Sequence, residues 1–114
     1  MHELFFLNES IRNFVSVIIY GAGNAGQTIL LKLLQQNVKV ECFADSDPDK
    51  CEGKFLNIPI IHIDRLQDKH ELAVIVGGVY AFTVAKELEK RGFRHIFYDY
   101  GNDVRIVHLE REDQ

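Results

Sequence analysis

The sequence predicts an α/β domain in which helices cover both faces of a mostly parallel sheet of about five strands. Three observations lead to this fold class. Strand-like and helix-like segments alternate along the 114 residues, the strand-like runs are short and rich in β-branched residues, and a glycine-rich turn joins the first strand to the first helix. We therefore expect a single three-layer domain over residues 1–114, with residues 1–14 as an N-terminal extension and residues 103–114 as a C-terminal arm.

Each predicted element follows from a local pattern. The β-branched run at Val15–Tyr20 is typical of a strand that is buried on both faces. From Asn24 to Gln36, apolar residues recur at helical spacing, and Asn37 is the expected stop. The apolar face of that helix consists of Ile29, Leu30, Leu33 and Leu34. The later predicted elements are strands at 38–44, 58–63, 72–76 and 95–98, a brief helix at 64–69 capped by Asp64, and a helix at 81–91 that ends before Gly92.

The order of the strands follows from the handedness of the connections between them. Right-handed crossovers place the second and third strands on one side of the first strand, and the fourth and fifth strands on its other side. The predicted order of the five parallel strands is therefore 3-2-1-4-5. Two terminal segments stay open. Residues 9–14 are compatible with one or two helical turns capped by Asn8 or Ser10, and Val104–Leu109 is either a sixth strand or an arm that docks elsewhere.

Composition and charge narrow the classes of partner. A net charge of −4 and an isoelectric point near 5.7 supply no basic surface for phosphate backbones, so no nucleic acid is expected. No apolar run approaches the roughly 18 residues of a membrane-spanning helix, and we expect a cytoplasmic protein. Two cysteines do not indicate a disulfide scaffold, and the scattered histidines predict no metal site.

The turn after the first strand carries the motif G-x-G-x-x-G. In a dinucleotide-binding fold the first glycine permits a tight turn, the second lets the backbone approach a pyrophosphate, and the third lets helix and strand pack closely. The helix that follows offers free N–H groups to an anion. We therefore predict a Rossmann-like domain whose nucleotide phosphates are bound by Gly21, Gly23, Asn24, Ala25 and Gly26. A glycine turn that only closes the fold is the alternative.

An acidic residue about twenty positions after such a motif binds ribose hydroxyls in these folds. Asp45 stands at that distance, at the end of the second predicted strand, and Ser46 follows it. Ser46 and Asp47 come without an adjacent Arg or Lys, so a ribose 2′-phosphate would meet like charge. NAD is therefore favoured over NADP. The alternative for Asp45 is a solvated turn residue.

A second pair of glycines, Gly77 and Gly78, ends the fourth predicted strand. Open α/β sheets bind ligands at this edge, and small residues there leave room for a ribose or a base. Val79 and Tyr80 are placed to flank it. A plain strand-to-helix turn is the alternative.

Two segments together resemble a recurring bacterial domain. They are IIYGAGNAGQTILLKLL and VECFADSDPDKCEGKFLNIPIIHIDRL, with Phe-x-Asp-x-Asp-Pro at 43–48 and Asn57 where that pattern usually has glycine. The resemblance is to the small Rossmann domain, described as CoA-binding or NAD(P)-binding, of surface-polysaccharide and nucleotide-sugar-modifying proteins. It covers roughly residues 15–98. There the domain accompanies epimerase/dehydratases, acetyltransferases and methyltransferases, so the resemblance implies a domain type and a nucleotide or nucleotide-sugar ligand rather than one reaction.

Three functions follow from this combination. The first is a nucleotide-binding or nucleotide-sugar-binding module that works with a fused or associated catalytic domain. The second is an NAD-dependent sugar-nucleotide dehydrogenase or epimerase whose active site is completed by homo-oligomerisation. The third is a ligand-free interaction domain. NAD is the expected cofactor, with a UDP-sugar or CoA as alternatives. No catalytic residue is assigned, because the chain lacks Tyr-x-x-x-Lys and Gly-x-Ser-x-Gly; this favours the first function.

Overall fold

The computed structural model describes residue 11, residues 16–51, 53–78 and 81–99, and the backbone of residues 106–109. The strands are β1 Val17–Tyr20, β2 Cys42–Asp45, β3 Lys54–Phe55, β4 Ile58–His62, β5 Ala73–Gly77, β6 His95–Asp99 and β7 Ile106–Leu109. The helices are α1 Asn24–Gln35 and α2 Ala81–Lys90. Short 3-10 helices lie at Pro48–Lys50, Ile63–Arg65 and Lys69–Glu71.

The strands form one sheet in the order β3-β4-β2-β1-β5-β6-β7. The five central strands are parallel and neighbour one another as the crossover rule predicts. The prediction of about five strands is incomplete at the edges of the sheet, where β3 pairs antiparallel with β4 and β7 pairs antiparallel with β6. Within the segment that the sequence left as either a sixth strand or an arm, Ile106–Leu109 thus forms a strand of the sheet.

β3 was not predicted from the sequence because it consists of only two residues, which pair with β4 in a tight hairpin. Leu56 and Asn57 form its loop with φ of 52° and 67°, the left-handed conformation at both central positions that two-residue hairpins prefer. Asparagine tolerates this conformation better than most residues, which explains how Asn57 replaces the glycine of the related pattern.

Among the described residues, α1 packs on one face of the sheet and α2 on the other. Alternate strand residues such as Ile19 and Phe43 pack against Ile29, Leu30 and Leu33 of α1. The intervening residues face α2; this second cluster includes Ile18, Val74, Val76, Ala85 and Leu88. Because both faces are buried, the parallel strands are apolar without alternation, as the Val15–Tyr20 run predicted.

The helix ends follow from local stop signals. Asn37 has φ of 63°, and the Val38 N–H donates to Leu33 O at 2.9 Å, so α1 ends at the predicted residue type. Gly92, with φ of 106°, ends α2 in the same way. The predicted apolar face of α1 is wrong at Leu34, whose side chain is 45% exposed.

Two short predicted features differ from the structure. The helix predicted at 64–69 is replaced by the 3-10 turns, and the cap at Ile63–Arg65 is the His62 side chain, whose Nδ1 accepts from the Asp64 N–H, rather than Asp64. The second strand begins at Cys42 instead of Val38, although Val38 and Val40 are buried in the core. The helical turns predicted at 9–14 lie outside the described residues except Ile11, which is fully buried.

Candidate functional site

The carboxyl ends of the central strands bring the predicted site residues to one edge of the sheet. Tyr20 is paired with Ala44, so Gly21 and Asp45 follow side by side, and the Gly21 N–H donates to Ala44 O at 2.6 Å. On the other side of β1, Gly77 is paired with Asp99 at the ends of β5 and β6. The two halves of the predicted site therefore share an edge.

The three glycines of the first turn have different environments. Gly21 has φ of 92°, which favours glycine, and it turns the chain out of β1. Gly23 is the N-cap of α1 with φ of −82° and no side-chain cap. A β-carbon on Gly26 would lie 1.9 Å from Gly21 O, so only glycine permits this approach of helix to strand. These are the positions that the motif assigns to turn, ligand approach and packing.

The amino end of α1 is open for an anion. Its first hydrogen bond runs from Gln27 N to Gly23 O, at 3.0 Å. Within the described ranges no acceptor faces the N–H groups of residues 23–26. No acidic residue lies in the first helical turn, so the positive end of the helix dipole is not neutralised there.

Two side chains shape the loop without closing this end. Gln27 Nε2 donates to Ala22 O at 3.1 Å, so this side chain braces the loop. Asn24 is exposed beside it, and its own carbonyl accepts from Thr28 Oγ1 at 3.0 Å. Neither of these side-chain hydrogen bonds uses the backbone N–H groups at the amino end of α1.

Asp45 lies at the end of β2 and is only 8% exposed. Its Oδ2 accepts from the Ala22 N–H at 2.9 Å, and its Oδ1 accepts from the Asp47 N–H at 2.9 Å. The carboxylate therefore holds the glycine loop to the end of β2. Each oxygen retains acceptor capacity for a ribose hydroxyl. Ser46 follows on the exposed surface.

A lysine that sequence reasoning missed reaches the glycine loop. Lys50 ends the 3-10 turn after Asp45, and a β-carbon on Gly23 would lie 3.7 Å from its Nζ. The signal was present in Asp-Pro-Asp-Lys, because an aspartate before proline starts a helical turn that folds the chain back. Ser46 and Asp47, which directly follow Asp45, are not basic, but Lys50 lies in the same turn.

Gly77 and Gly78 differ in their surroundings. A β-carbon on Gly77 would lie 2.8 Å from Ile29 Cδ1, so the space at this glycine is filled by the α1 side chain. Gly78 is exposed with φ of 92°, and a β-carbon there would lie 3.9 Å from Ala25 Cβ. Gly78, rather than Gly77, borders the amino end of α1. Val79 and Tyr80 lie outside the described residues.

A largely buried ion pair lies at the carboxyl end of β6, on the side of β1 opposite to Asp45. Lys32 Nζ of α1 contacts Oδ1 and Oδ2 of Asp99 at 2.9 and 3.0 Å. The Asp99 side chain is 5% exposed and that of Lys32 is 17% exposed. The sequence carried no signal for this pair, since its partners are 67 positions apart.

The two cysteines form no disulfide with each other, and they differ in exposure, since Cys42 is buried and Cys51 is partly exposed. Burial, assisted by the Glu41 charge, raises the pKa of the Cys42 thiol to about 11, so this thiol is protonated and inert at neutral pH. Cys51 lies in the turn beside Lys50, with its Sγ 3.4 Å from Asp47 O. In the described part of the chain, no cluster of three or more His, Cys, Asp or Glu residues is arranged to hold a metal ion. No helix among those residues is long and apolar enough to cross a membrane.

A family model, the C2185-like N-terminal domain, matches residues 14–96, which include the glycine loop, Asp45 and Gly77–Gly78. The chain belongs to this family. Its fold is similar to that in the crystal structure of UDP-D-quinovosamine 4-dehydrogenase from Vibrio fischeri, with a TM-score of 0.62 and 20% sequence identity. The alignment covers 85% of this C2185-like chain and 94% of the solved chain. No curated protein has a significant sequence match.

Proposed function

We propose that this C2185-like domain is a nucleotide-binding or nucleotide-sugar-binding module whose phosphate site is the glycine loop. One observation carries the proposal: the amino end of α1 begins at Gly23 without acidic residues in its first turn, and its backbone donors have no partner among the described residues at the carboxyl edge of the sheet. Anions bind at such helix ends because the N–H groups and the helix dipole both favour negative charge.

The ribose position follows from Asp45. With the phosphates at residues 21–26, a ribose lies over the end of β2, where the Asp45 oxygens remain able to accept hydrogen bonds. NAD is the first candidate ligand, and a UDP-sugar or CoA are the alternatives. The solved dehydrogenase of similar fold is named for a UDP-sugar, which supports including nucleotide-sugars among the candidates.

Binding is proposed without turnover by this chain alone. The sequence contains no Tyr-x-x-x-Lys pair, and the carboxylates Asp45 and Asp99 are both engaged within the fold. An acid and a base each contribute about 10²–10⁴-fold to such reactions, so their lack leaves catalysis to a fused or associated domain. The alternative is an NAD-dependent dehydrogenase or epimerase completed by a second copy of the chain; the name of the solved enzyme is its support.

The test is a thermal-shift panel on the purified chain with NAD, NADP, CoA, UDP, UDP-sugars and S-adenosylmethionine. A ligand at 100 times its dissociation constant stabilises the folded state by about 2.7 kcal/mol, which a shift in Tm reports readily. Turnover is assayed in parallel with NAD and UDP-sugars. Turnover by the purified chain would overturn the proposal of a binding module and favour the alternative, an enzyme completed by a second copy of the chain.

A blocking variant tests the location. Gly23 has a φ that any residue adopts, and a β-carbon there would meet only the flexible Lys50 Nζ, at 3.7 Å, so we expect Gly23→Val to retain the fold while its side chain occupies the phosphate approach. Gly53→Val is the matched control, since it adds the same group at an exposed glycine away from the loop. We expect loss of the ligand-induced shift in Gly23→Val alone. No shift with any nucleotide would favour the interaction domain.

A further inference from the structure

We propose that the outward face of α1 is the contact surface for a second copy of this chain, which forms a weak and reversible two-fold dimer. The face consists of Thr28, Leu31 and Leu34. Leu31 and Leu34 are 48% and 45% exposed, although both are large apolar side chains. Because residues three positions apart are neighbours on a helix surface, the three side chains form one continuous patch. This inference is independent of the nucleotide that the glycine loop is proposed to bind.

Thr28 extends the patch of the two leucines toward the amino end of α1. Its Oγ1 donates to Asn24 O at 3.0 Å, so the hydroxyl is satisfied within its own helix. The residue then adds its methyl group to the apolar surface. Ile29, Leu30 and Leu33 of the same helix belong to the core, whereas neither core cluster of the described residues includes Leu31 or Leu34.

The outward face of α1 also carries no charge. Between residues 24 and 36 the only charged residue is Lys32, which is bound to Asp99 and only 17% exposed. α2 is different, since it exposes Lys86, Glu87 and Lys90. Charged residues make up 26% of this chain, so an exposed helix face without them is distinctive. Depletion of charge is the feature that sets the core of an interface apart from the rest of a protein surface.

The lack of charge favours a second copy over a different protein. In a two-fold interface, each residue near the axis meets its own copy, so a charged residue there would face like charge. A different partner would gain orientation and association rate from opposite charges, which this face does not offer. The net charge of −4 makes two copies repel each other, and an approach through an uncharged face is opposed least.

The patch also determines how the two helices are arranged. Leu31 is at its centre, so we place the two-fold axis there, perpendicular to α1. The two copies of α1 are then antiparallel, and Thr28 of each copy faces Leu34 of the other. Antiparallel helices oppose their dipoles, whereas a parallel pair would bring two positive amino ends together. The proposed phosphate sites therefore stay apart in the dimer.

The size of the patch limits the strength of the dimer. α1 has 12 residues and is therefore about 18 Å long. A strip of that length and roughly 10 Å wide covers roughly 200 Å², well below the about 800 Å² per partner of a standard interface. We therefore expect a Kd on the order of 0.1 mM, so that the dimer dissociates almost fully at about 1 µM.

The test is sedimentation equilibrium of the purified chain at loading concentrations from about 10 µM to about 1 mM, which bracket the expected Kd. Leu31→Glu places like charges at the two-fold axis and is expected to raise the Kd at least about tenfold. Leu56→Glu is the matched control, since it makes the same substitution at a leucine that is 55% exposed and lies outside α1. Thr28→Glu, at an exposed position of the same face, is a second variant that retains both leucines.

A mixture of charge variants tests the two-fold arrangement. Leu31→Glu and Leu31→Lys are each expected to be monomeric, whereas an equal mixture of them associates because opposite charges then meet at the axis. The thermal shift with nucleotides is expected to persist in Leu31→Glu, since residue 31 lies two turns from Gly23. Failure of the nucleotide proposal would therefore leave the dimer in place, and failure of the dimer would leave the nucleotide proposal in place.

Three results would overturn the inference. A wild-type chain that stays monomeric at about 1 mM has no such dimer at the expected affinity. Association that neither Leu31→Glu nor Thr28→Glu weakens uses another surface. Association that Leu31→Glu weakens, but that the mixture of Leu31→Glu and Leu31→Lys does not recover, is not two-fold about Leu31. Concentration-dependent dimers that Leu31→Glu abolishes, Leu56→Glu retains and the mixture restores support the inference.

Discussion

Gly21, Gly23 and Gly26 show how three identical residues serve separate tasks within one turn. Gly21 adopts a left-handed conformation, Gly26 removes a clash with the Gly21 carbonyl, and Gly23 keeps the helix end uncovered. Two of these tasks concern folding, and one concerns the proposed ligand. Substitution at each position is therefore expected to give a different phenotype.

Gly26→Ala tests the packing role. Its β-carbon would lie 1.9 Å from Gly21 O, so the helix or the strand end must shift. We expect a loss of about 3 kcal/mol in the free energy of unfolding, at the upper end for overpacking. Urea denaturation measures it. Gly53→Ala, which meets no atom closer than 3.6 Å, is the control. Equal stability of both variants would contradict the close approach.

Cys42 makes stability depend on alkaline pH. Because its pKa is about 11 in the folded chain against 9.0 ordinarily, the unfolded chain loses this proton first as the pH rises. Between pH 9 and 11 the folded state therefore loses about 1.4 kcal/mol per pH unit from this group. Urea denaturation across this range compares the wild type with Cys42→Ala, which lacks that part of the slope. Identical slopes would exclude the effect.

Residue roles could be predicted from the sequence only where they depend on nearby positions. The motif spacing placed the glycines and Asp45 at one edge, as the register requires. The hydrogen bond from the Ala22 N–H to Asp45 depends on the loop conformation, and no pattern encodes it. It also means that Asp45→Ala destabilises the loop by leaving a buried N–H unpaired, so the variant is not a clean probe of ribose binding.

At the scale of elements, α1 connects the two halves of the sheet. Its amino end faces the glycine loop, while Lys32 in its third turn reaches Asp99 at the end of β6. The apolar periodicity predicted the helix and its buried face, but Leu31 and Leu34 are about half exposed, since the helix lies at the surface. Apolar identity alone does not determine which side of a helix faces the core.

The Lys32–Asp99 pair is expected to stabilise the packing of α1 on β6. Lys32→Met removes the cation but keeps the apolar stem, which leaves a buried carboxylate without this partner. The expected loss in the free energy of unfolding is on the order of 3 kcal/mol. Lys39→Met, at an exposed position, is the control. The double variant with Asp99→Asn is expected to recover part of the loss, and purely additive losses would argue against coupling.

The boundaries of a strand could be predicted from the sequence where the strand is one continuous apolar run. β5 and β6 lie where expected because their apolar runs are bounded by polar residues and glycine. β2 is shorter than predicted, since Val38 and Val40 are buried without pairing as a strand. β3 is too short to leave a periodic signal, and its pairing depends on the hairpin turn rather than on hydrophobicity.

At the scale of the whole molecule, the sheet separates two clusters of buried side chains and gathers polar groups at its carboxyl edge. Each cluster combines one helix with alternate residues of the same strands, so neither helix can pack without the central strands. The outer strands β3 and β7 run antiparallel and cover the parallel core at both ends. This predicts that the edge strands protect the core from pairing with other chains.

Deletion of residues 103–114 tests this protection. It removes β7 and leaves the edge of β6 without its antiparallel partner. The newly unpaired strand is apolar, since it contains Ile96, Phe97 and Tyr98, which are nearly fully buried in the intact fold. An apolar strand with unpaired N–H and C=O groups is a template for pairing with another chain. We expect the truncated protein to self-associate, which light scattering on size exclusion detects, and to unfold at lower urea. A shorter deletion of residues 110–114 keeps β7 and is the matched control. A monomeric and equally stable truncated chain would show that β7 is dispensable and that the parallel core is complete without it.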